Sequence, residues 1–448
     1  MEISCRPSRR SFSNRLTSCT LSVNPVSATR PSHKEHFHEF EIDSPPFFFG
    51  ASALAAARPA RAQSANNKVV LALIGVGGRG SDLARKLQKV ENVEFKYVCE
   101  VNDERGEEIA SHLEAVRGFR PQRVLDMRRT FDDKDVDGVI ITTPEHWHAL
   151  ATVWACQADK NVYVEKCVSL TVWEGRKMIE AARKYKRVVQ CGTQNRSAPY
   201  SNSAREYIAS GKLGKVLYVK VFNLLPGAGD WAPLKPLPDG PPPEGLDWDA
   251  FLGPAPVAPY NPNRIEHWET YWHYGGGPLS SDASHQLDLA RKVLGDPPHP
   301  KSVYAAGGRF AADDGREAPD TQAVTYDYGD FVMTCDSGTF TPYIKKFPNE
   351  IRNGTTWPVW NHHSTRVEIY GTKQIMYLGR HGVGWQVMEE DGKVVAQDKG
   401  VHPDKWHQPN FIDCIRSRAR PNSDIEQGHY SSCAIHLGNR PTGLATST

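Results

Sequence analysis

The stretch that decides the fold is VVLALIGVGGRGSDLARKL, Val69–Leu87. An apolar run from Val69 to Ile74 stops at a glycine-rich turn, and beyond it apolar and charged residues alternate with a helical period. The spacing Gly75-x-Gly77-x-x-Gly80 permits a tight turn and lets backbone N–H groups, with Gly78 and Arg79 between them, approach a pyrophosphate at the helix N-terminus. Glycine spacing alone is a weak signal; a strand before it and a helix after it supply the required context. Glu100 closes the next apolar run 20 residues past Gly80, where a ribose-binding carboxylate belongs. Such a carboxylate accepts from the ribose hydroxyls and repels a 2′-phosphate, so NAD is expected over NADP. Arg79 is the nearby charge that would instead attract that phosphate.

Outward from this turn the pattern repeats. Apolar runs at Phe95–Val101, Val136–Thr142, Asn161–Val164 and Val188–Cys191 alternate with helical stretches such as ERGEEIASHLEAV, HALATVWACQA and VWEGRKMIEAARKYK. That alternation predicts an α/β, doubly wound parallel sheet over residues 66–193. Ligands of such sheets lie beyond the carboxyl ends of the strands. Two turns then face the crevice: Thr143-Pro144-Glu145-His146-Trp147-His148, and Glu165-Lys166 after the apolar Val162-Tyr163-Val164. A charged pair is expensive inside a core. Glu165 and Lys166 are therefore expected at the crevice mouth, where Thr143, Pro144 and His148 also belong. His146 and His148 have no third ligand at a recognised spacing, so no metal is expected.

The character changes over residues 194–448. AREYIASGKLGKVLYVKVFN reads as a helix, a turn and a strand. A Pro-rich stretch, WAPLKPLPDGPPPEGLDWDAFLGPAPVAPYNPNR, is expected to lack regular structure. GGGPLSSDASHQLDLARKVLGDPP predicts a helix, and QAVTYDY, DFVMTCD, RVEIYGT and IMYLGR alternate like antiparallel strands with one wet face. The second domain is expected to be a large, mostly antiparallel open sheet carrying helices.

Composition bounds the partners. The 448 residues carry a net charge of +2, too balanced to argue for nucleic acid, and no stretch suits membrane insertion. Nine cysteines without a C-x-x-C pair read as buried thiols. Residues 1–65 stand apart: Arg9-Arg10 precede the apolar FFFGASALAAARPARA, which ends in Ala60-Arg61-Ala62. These pieces resemble a twin-arginine signal and imply a periplasmic or secreted protein; the alternative is a disordered tail on a cytoplasmic one.

The glycine motif, T-P-x-x-x-H, Glu165-Lys166, VVQCGTQNRS and SGKLGKV together resemble the Gfo/Idh/MocA oxidoreductase family, from about Lys68 to HQPNFIDCIRSRARPNSDIEQGH. The resemblance implies a Rossmann domain, a C-terminal α/β domain, pairing of copies through its open sheet, and NAD(P)-dependent oxidation or reduction of a sugar, glycoside or cyclitol. It further implies substrate contacts from Gln194 and Arg196, and catalytic roles for Lys166 and for His285 with Asp282. Two departures stand out. Cys167 replaces the proline of the family's E-K-P motif, and a trans bond is expected there. Ser281 stands where the family places an Asp, with Asp282 one position later. On a helix Asp282 and His285 would share a face. Alternative readings are a glycosidase working by transient oxidation and elimination, and a non-catalytic NAD-binding protein. Trp248, Trp268 and Trp272 suit either sugar stacking or core packing.

Overall fold

In a computed structural model of the chain, residues 68–227 and 231–443 are described, and they belong to one compact unit. The expected signal at residues 1–65 lies outside them. The first sheet contains β1 (Val69–Ile74), β2 (Val93–Cys99), β3 (Gln122–Val124), β4 (Gly138–Ile141), β5 (Asn161–Val164) and β6 (Val189–Cys191). All its pairs are parallel, in the order β3-β2-β1-β4-β5-β6. The order reverses between β1 and β4, so a crevice opens where both strands end. Leu71, Leu73, Val139, Ile140 and Val162 are fully buried, as a sheet covered on both faces requires.

Helix Gly78–Leu87 buries Leu83, Ala84 and Leu87 against one face. Helix Asp103–Arg117 starts at Asn102, whose side chain accepts from Arg105 N, and ends at Gly118 in the left-handed conformation. Helix Val172–Lys184 begins with a capping box between Thr171 and Glu174. Three-residue β3 lay below the reach of periodicity, because it is too short to show a repeat.

The second sheet contains β7 (Val216–Leu224), β8 (Ser302–Gly308), β9 (Thr321–Asp327), β10 (Val332–Gly338), β11 (Arg366–Gly371), β12 (Ile375–Gly379), β13 (Gly384–Met388) and β14 (Val394–Asp398). Its order is β14-β13-β12-β11-β7-β10-β9-β8, antiparallel except for β7 with β10. Helix Ala283–Val293 packs on one face, where Leu287, Ala290 and Val293 meet Val219, Val221, Met333 and Ile369 in a single core. After β14 the chain returns to the first sheet: Phe411 and Ile412 of helix Asp404–Ser417 pack among Leu71, Leu73 and Tyr163. No helix of the described residues is long and apolar enough to cross a membrane.

The Pro-rich stretch departs from expectation. It holds two one-turn helices, Trp248–Leu252 and Pro262–Glu266. Asp247 accepts from Ala250 N at 2.9 Å, and Asn261 accepts from Asn263 N at 3.0 Å. Local side-chain caps and a proline at the second helix start therefore overcome the surrounding prolines.

Candidate active site

The glycine turn shapes the crevice by close approach. Gly75 sits at φ +81°, and a Cβ there would press within 2.8 Å of Thr143 N. A Cβ at Gly80 would collide with the carbonyl of Gly75, so only glycine lets the helix lie this close to β1. Gly77 and Gly78 differ: nothing lies within 4 Å of where a Cβ would stand. They border an open cradle, and the helix start beside it has no side-chain cap, which leaves first-turn N–H groups for an anion. Glu100 borders the same space, its Oε2 accepting from Val76 N at 2.7 Å and its Oε1 from Asn102 N at 2.9 Å. Two of about four acceptor positions remain for a ligand. The cleft measures about 1240 Å³ and is also bordered by Thr143, Pro144 and Lys166. Thr143 Oγ1 is buried there without a partner among the described residues. This donor and acceptor set fits a dinucleotide.

The Pro-rich insertion forms the opposite wall. Phe251, Gly253 and Trp268 border the cleft, whereas Trp248 is buried, stacks on Phe251 at 4.9 Å and donates to the carbonyl of Ala258. Trp272 makes neither contact. The wall is fastened by the turn after β4. His146 Nε2 lies 2.8 Å from the Phe251 carbonyl, and Trp147 Nε1 donates to that carbonyl at 3.1 Å and to Ala250 O at 3.2 Å. The Trp147 ring occupies the space a Cβ at Gly253 would need. Burial pushes His146 down to about 4, so the ring is neutral near pH 7. A second seam joins Asn102 to Leu246, with Asp247 N donating to Val101 O at 2.9 Å.

β5 delivers Glu165 and Lys166 to the crevice, where they part. Glu165 turns inward and accepts from Arg79 Nε at 2.9 Å, Tyr163 OH at 3.2 Å and Gln194 Nε2 at 3.3 Å. Arg79 also pairs with Asp82 at 2.6 Å and Asp404 at 3.3 Å, so its guanidinium is committed to three carboxylates. Burial disfavours the Asp404 charge, yet Arg79 and Lys86 hold that carboxyl well below the usual range. Lys166 instead extends to the second sheet's layer, where Nζ donates to the Ser281 carbonyl.

The bond after Lys166 corrects the sequence expectation: Lys166–Cys167 is cis, not trans. Tertiary contacts surround it that the local sequence does not reveal. His148 Nδ1 lies 2.6 Å from Cys167 O, and Cys167 N donates to Glu145 Oε1 at 3.3 Å. His148 Nε2 lies 2.8 Å from Thr143 O. His148 thus ties the two crevice turns together, and it is buried behind the cleft rather than facing it. Burial pushes the Cys167 thiol up to about 12, which leaves it an unreactive packing group. Glu145 accepts from Ser280 Oγ at 2.7 Å; burial raises its pKa while Lys166 works against that rise. No spacing rule pointed to Glu145. The available signal was its place one residue after Thr143-Pro144, at the start of helix Glu145–Gln157.

Helix Ala283–Val293 carries His285, 9% exposed, with Nδ1 unpartnered among the described residues. Its ring meets His381 edge-on at 4.5 Å. Burial first, then Lys166 and Arg380, depress its pKa far below 6.5, so His285 is a neutral imidazole. Asp282 occupies the break between helix Gly277–Ser281 and this one. Its carboxylate pairs with Arg380 at 2.9 Å and Lys346 at 3.1 Å rather than with the His285 side chain. Burial opposes that charge, but the two cations hold it well below the usual range. The i, i+3 spacing therefore brought Asp282 and His285 near each other, with His285 N donating to the Asp282 carbonyl at 3.4 Å, without joining their side chains by a hydrogen bond. Arg196 is directed away from the cleft, buried against Asp288 at 2.7 Å and Asp296 at 2.9 Å.

Comparison with known proteins agrees with this arrangement. Residues 69–193 match the family described as "Oxidoreductase family, NAD-binding Rossmann fold", and residues 201–339 match its "C-terminal alpha/beta domain". The chain belongs to the Gfo/Idh/MocA family. Among Gfo/Idh/MocA relatives, it is 27% identical over 202 residues to levoglucosan dehydrogenase of Pseudarthrobacter phenanthrenivorans, covering 45% of this chain and 43% of that one. It is 32% identical over 152 residues to inositol 2-dehydrogenase of Salmonella paratyphi B, covering 33% of this chain and 43% of that one. The match thus spans under half the length of either relative. In fold, it resembles an aldose-aldose oxidoreductase from Caulobacter crescentus, with TM-score 0.62 and 17% identity over 84% of this chain and 98% of that one. Ser281, where the sequence resemblance leads to the expectation of an Asp, offers Lys166 its backbone carbonyl.

Proposed function

We propose that this protein is an NAD-dependent dehydrogenase acting on a hydroxyl-bearing carbon of a sugar, glycoside or cyclitol. One observation carries the reading: Lys166, leaving the first sheet at the cleft, reaches the turn that begins the His285 helix. A donor at the cleft and a neutral imidazole on the neighbouring helix are thereby brought close enough for the Lys166 charge to act on His285. The names of the matched relatives, levoglucosan dehydrogenase and inositol 2-dehydrogenase, agree with such a substrate. Gly77, Gly78, Glu100, Thr143 and Pro144 would hold the dinucleotide, and the Glu100 carboxylate favours NAD over its 2′-phosphorylated form. When bound, that cofactor supplies the hydride acceptor.

The remaining chemistry belongs to the chain. His285, a neutral imidazole, accepts the hydroxyl proton at a ring nitrogen. Lys166 releases the Ser281 carbonyl and donates to the substrate oxygen as negative charge develops there. Glu145 acts as a positioning residue, holding Ser280 and the backbone of Cys167 on either side of Lys166. The test is product analysis with a panel of sugars, glycosides and cyclitols, with and without NAD. Reduction of NAD with a matching keto product is expected. Lys166→Ala and His285→Ala should each lower turnover by about 10² or more with NAD binding retained. Hydrolysis without net NAD change would replace this reading with a glycosidase, and no turnover at all with a non-catalytic binding protein.

A further inference from the structure

The Pro-rich insertion is fastened on both flanks of the strand whose glycine turn forms the cradle. In the first sheet β1 stands between β2 and β4. On the β4 side, His146 and Trp147 hold the carbonyls of Phe251 and Ala250. On the β2 side, Asp103 N donates to Gly245 O at 2.8 Å and Asp247 N donates to Val101 O at 2.9 Å, with Asn102 and Leu246 paired between them. Arg105 adds an ion pair to Glu266 at 2.7 Å on the same side. Between the two fastenings, Asp247, Asp249, Ala250, Phe251 and Gly253 border the same cleft as Gly77 and Gly78. The insertion therefore crosses the end of β1 as a strap, anchored on either side of it.

Glu100 follows β2 and Thr143 follows β4, and both border the cleft. A dinucleotide held by both must cross the end of β1, and the strap crosses it too, on the opposite wall. Resting on the cofactor assignment of the reading above, we propose that the strap gates the cofactor: NAD enters and leaves only when the β2-side fastening opens. A closed strap then keeps the nucleotide in place between turnovers. The two fastenings differ in kind, which decides the side that opens. On the β4 side His146 is buried and the Trp147 ring fills the space beside Gly253. On the β2 side Arg105 and Glu266 are 39% and 55% exposed, an ion pair that water and salt weaken.

The experiment joins the strap to the sheet. Asn102 and Leu246 form an antiparallel pair flanked by the two backbone bonds rather than linked by them. That is the closer of the two pair types, with Cα atoms about 4.5 Å apart, within reach of a disulfide. The full-length protein carrying Asn102→Cys and Leu246→Cys is loaded with NADH, oxidised and challenged with excess NAD, and NADH fluorescence reports release. The oxidised form is expected to release NADH at least about 100-fold more slowly than the reduced form, and reduction should restore the rate. Both forms carry the same substitutions, so the lost Asn102 cap of helix Asp103–Arg117 cancels in the comparison. The unmutated protein, treated identically, should not respond to reduction. Separately, Glu266→Lys changes an exposed position and repels Arg105; release should quicken about two- to fivefold, by less as salt rises. Release from the oxidised protein as fast as from the reduced one, or failure of the two thiols to join, would overturn the proposal. No sugar is present, so finding that no sugar is turned over would remove the dehydrogenase reading without touching this result.

Discussion

Glu165 and Lys166 are adjacent, end the same strand, and serve opposite purposes. Glu165 is 6% exposed and satisfied by Arg79, Tyr163, Gln194 and a backbone N–H, so it organises the floor of the crevice. Lys166 is the one that leaves for the other layer. The same distinction separates Glu100 from Arg79. Arg79 is shared by three carboxylates, which weakens its pull on a 2′-phosphate, and the discrimination between NAD and NADP is assigned to Glu100. The expected outcome for the unmutated protein is tighter binding of NAD than of NADP. Glu100→Ala should narrow that gap by removing a repulsive charge, while weakening both because Val76 N and Asn102 N lose their acceptor. Titration of both nucleotides against both proteins checks this, and equal affinities before mutation would remove the role assigned to Glu100.

At the scale of elements, the turn after β4 is a clasp. His146 and Trp147 reach out of helix Glu145–Gln157 to carbonyls of helix Trp248–Leu252, holding the Pro-rich insertion as a wall of the cleft. Trp147→Ala removes ring packing and two acceptor contacts, a loss on the order of 2–4 kcal/mol in local stability. Limited proteolysis should then cut residues 231–270 at least about tenfold faster, with circular dichroism of the rest unchanged. An unchanged cleavage rate would mean that the seam at Asn102 and Leu246 holds the insertion unaided.

Across the whole molecule, buried histidines set a stability limit on the acid side. His146, and His407 between Ser197 Oγ at 2.8 Å and Cys191 O at 3.0 Å, are both pushed down to about 4 by burial. Their unfolded values are near 6.5, so between pH 6.5 and 4 the unfolded chain binds more protons than the folded one. Stability from these groups is thus fully present above pH 6.5 and is lost as pH falls towards 4. By pH 5 the loss is on the order of 2 kcal/mol for each of the two. Asp282 and Asp404 remain charged throughout this window, so they do not offset it. Urea midpoints should fall between pH 7.5 and pH 5, and a flat profile would contradict the burial of these rings in solution.

Much of the fold was legible in order along the chain, because strand, turn and helix signals are local. Val69–Ile74 and Asn161–Val164 were read to the residue, and the glycine turn located the crevice through sterics that any backbone obeys. Ala- and Gly-rich β8, three-residue β3, and β13 and β14 left little local signal, and their partners define them as strands. Side-chain direction and pairing were decided by the tertiary structure alone. His148 and Arg196 carry polar groups suited to a site, yet Cys167, 19 positions on, engages the one and Asp288 and Asp296 engage the other behind it. Asp282 had the right spacing from His285, but Arg380 and Lys346, 98 and 64 positions away, capture its carboxylate. Periodicity tells which face a residue occupies; which charge it meets there depends on desolvation and on chain segments that come together only in the folded protein.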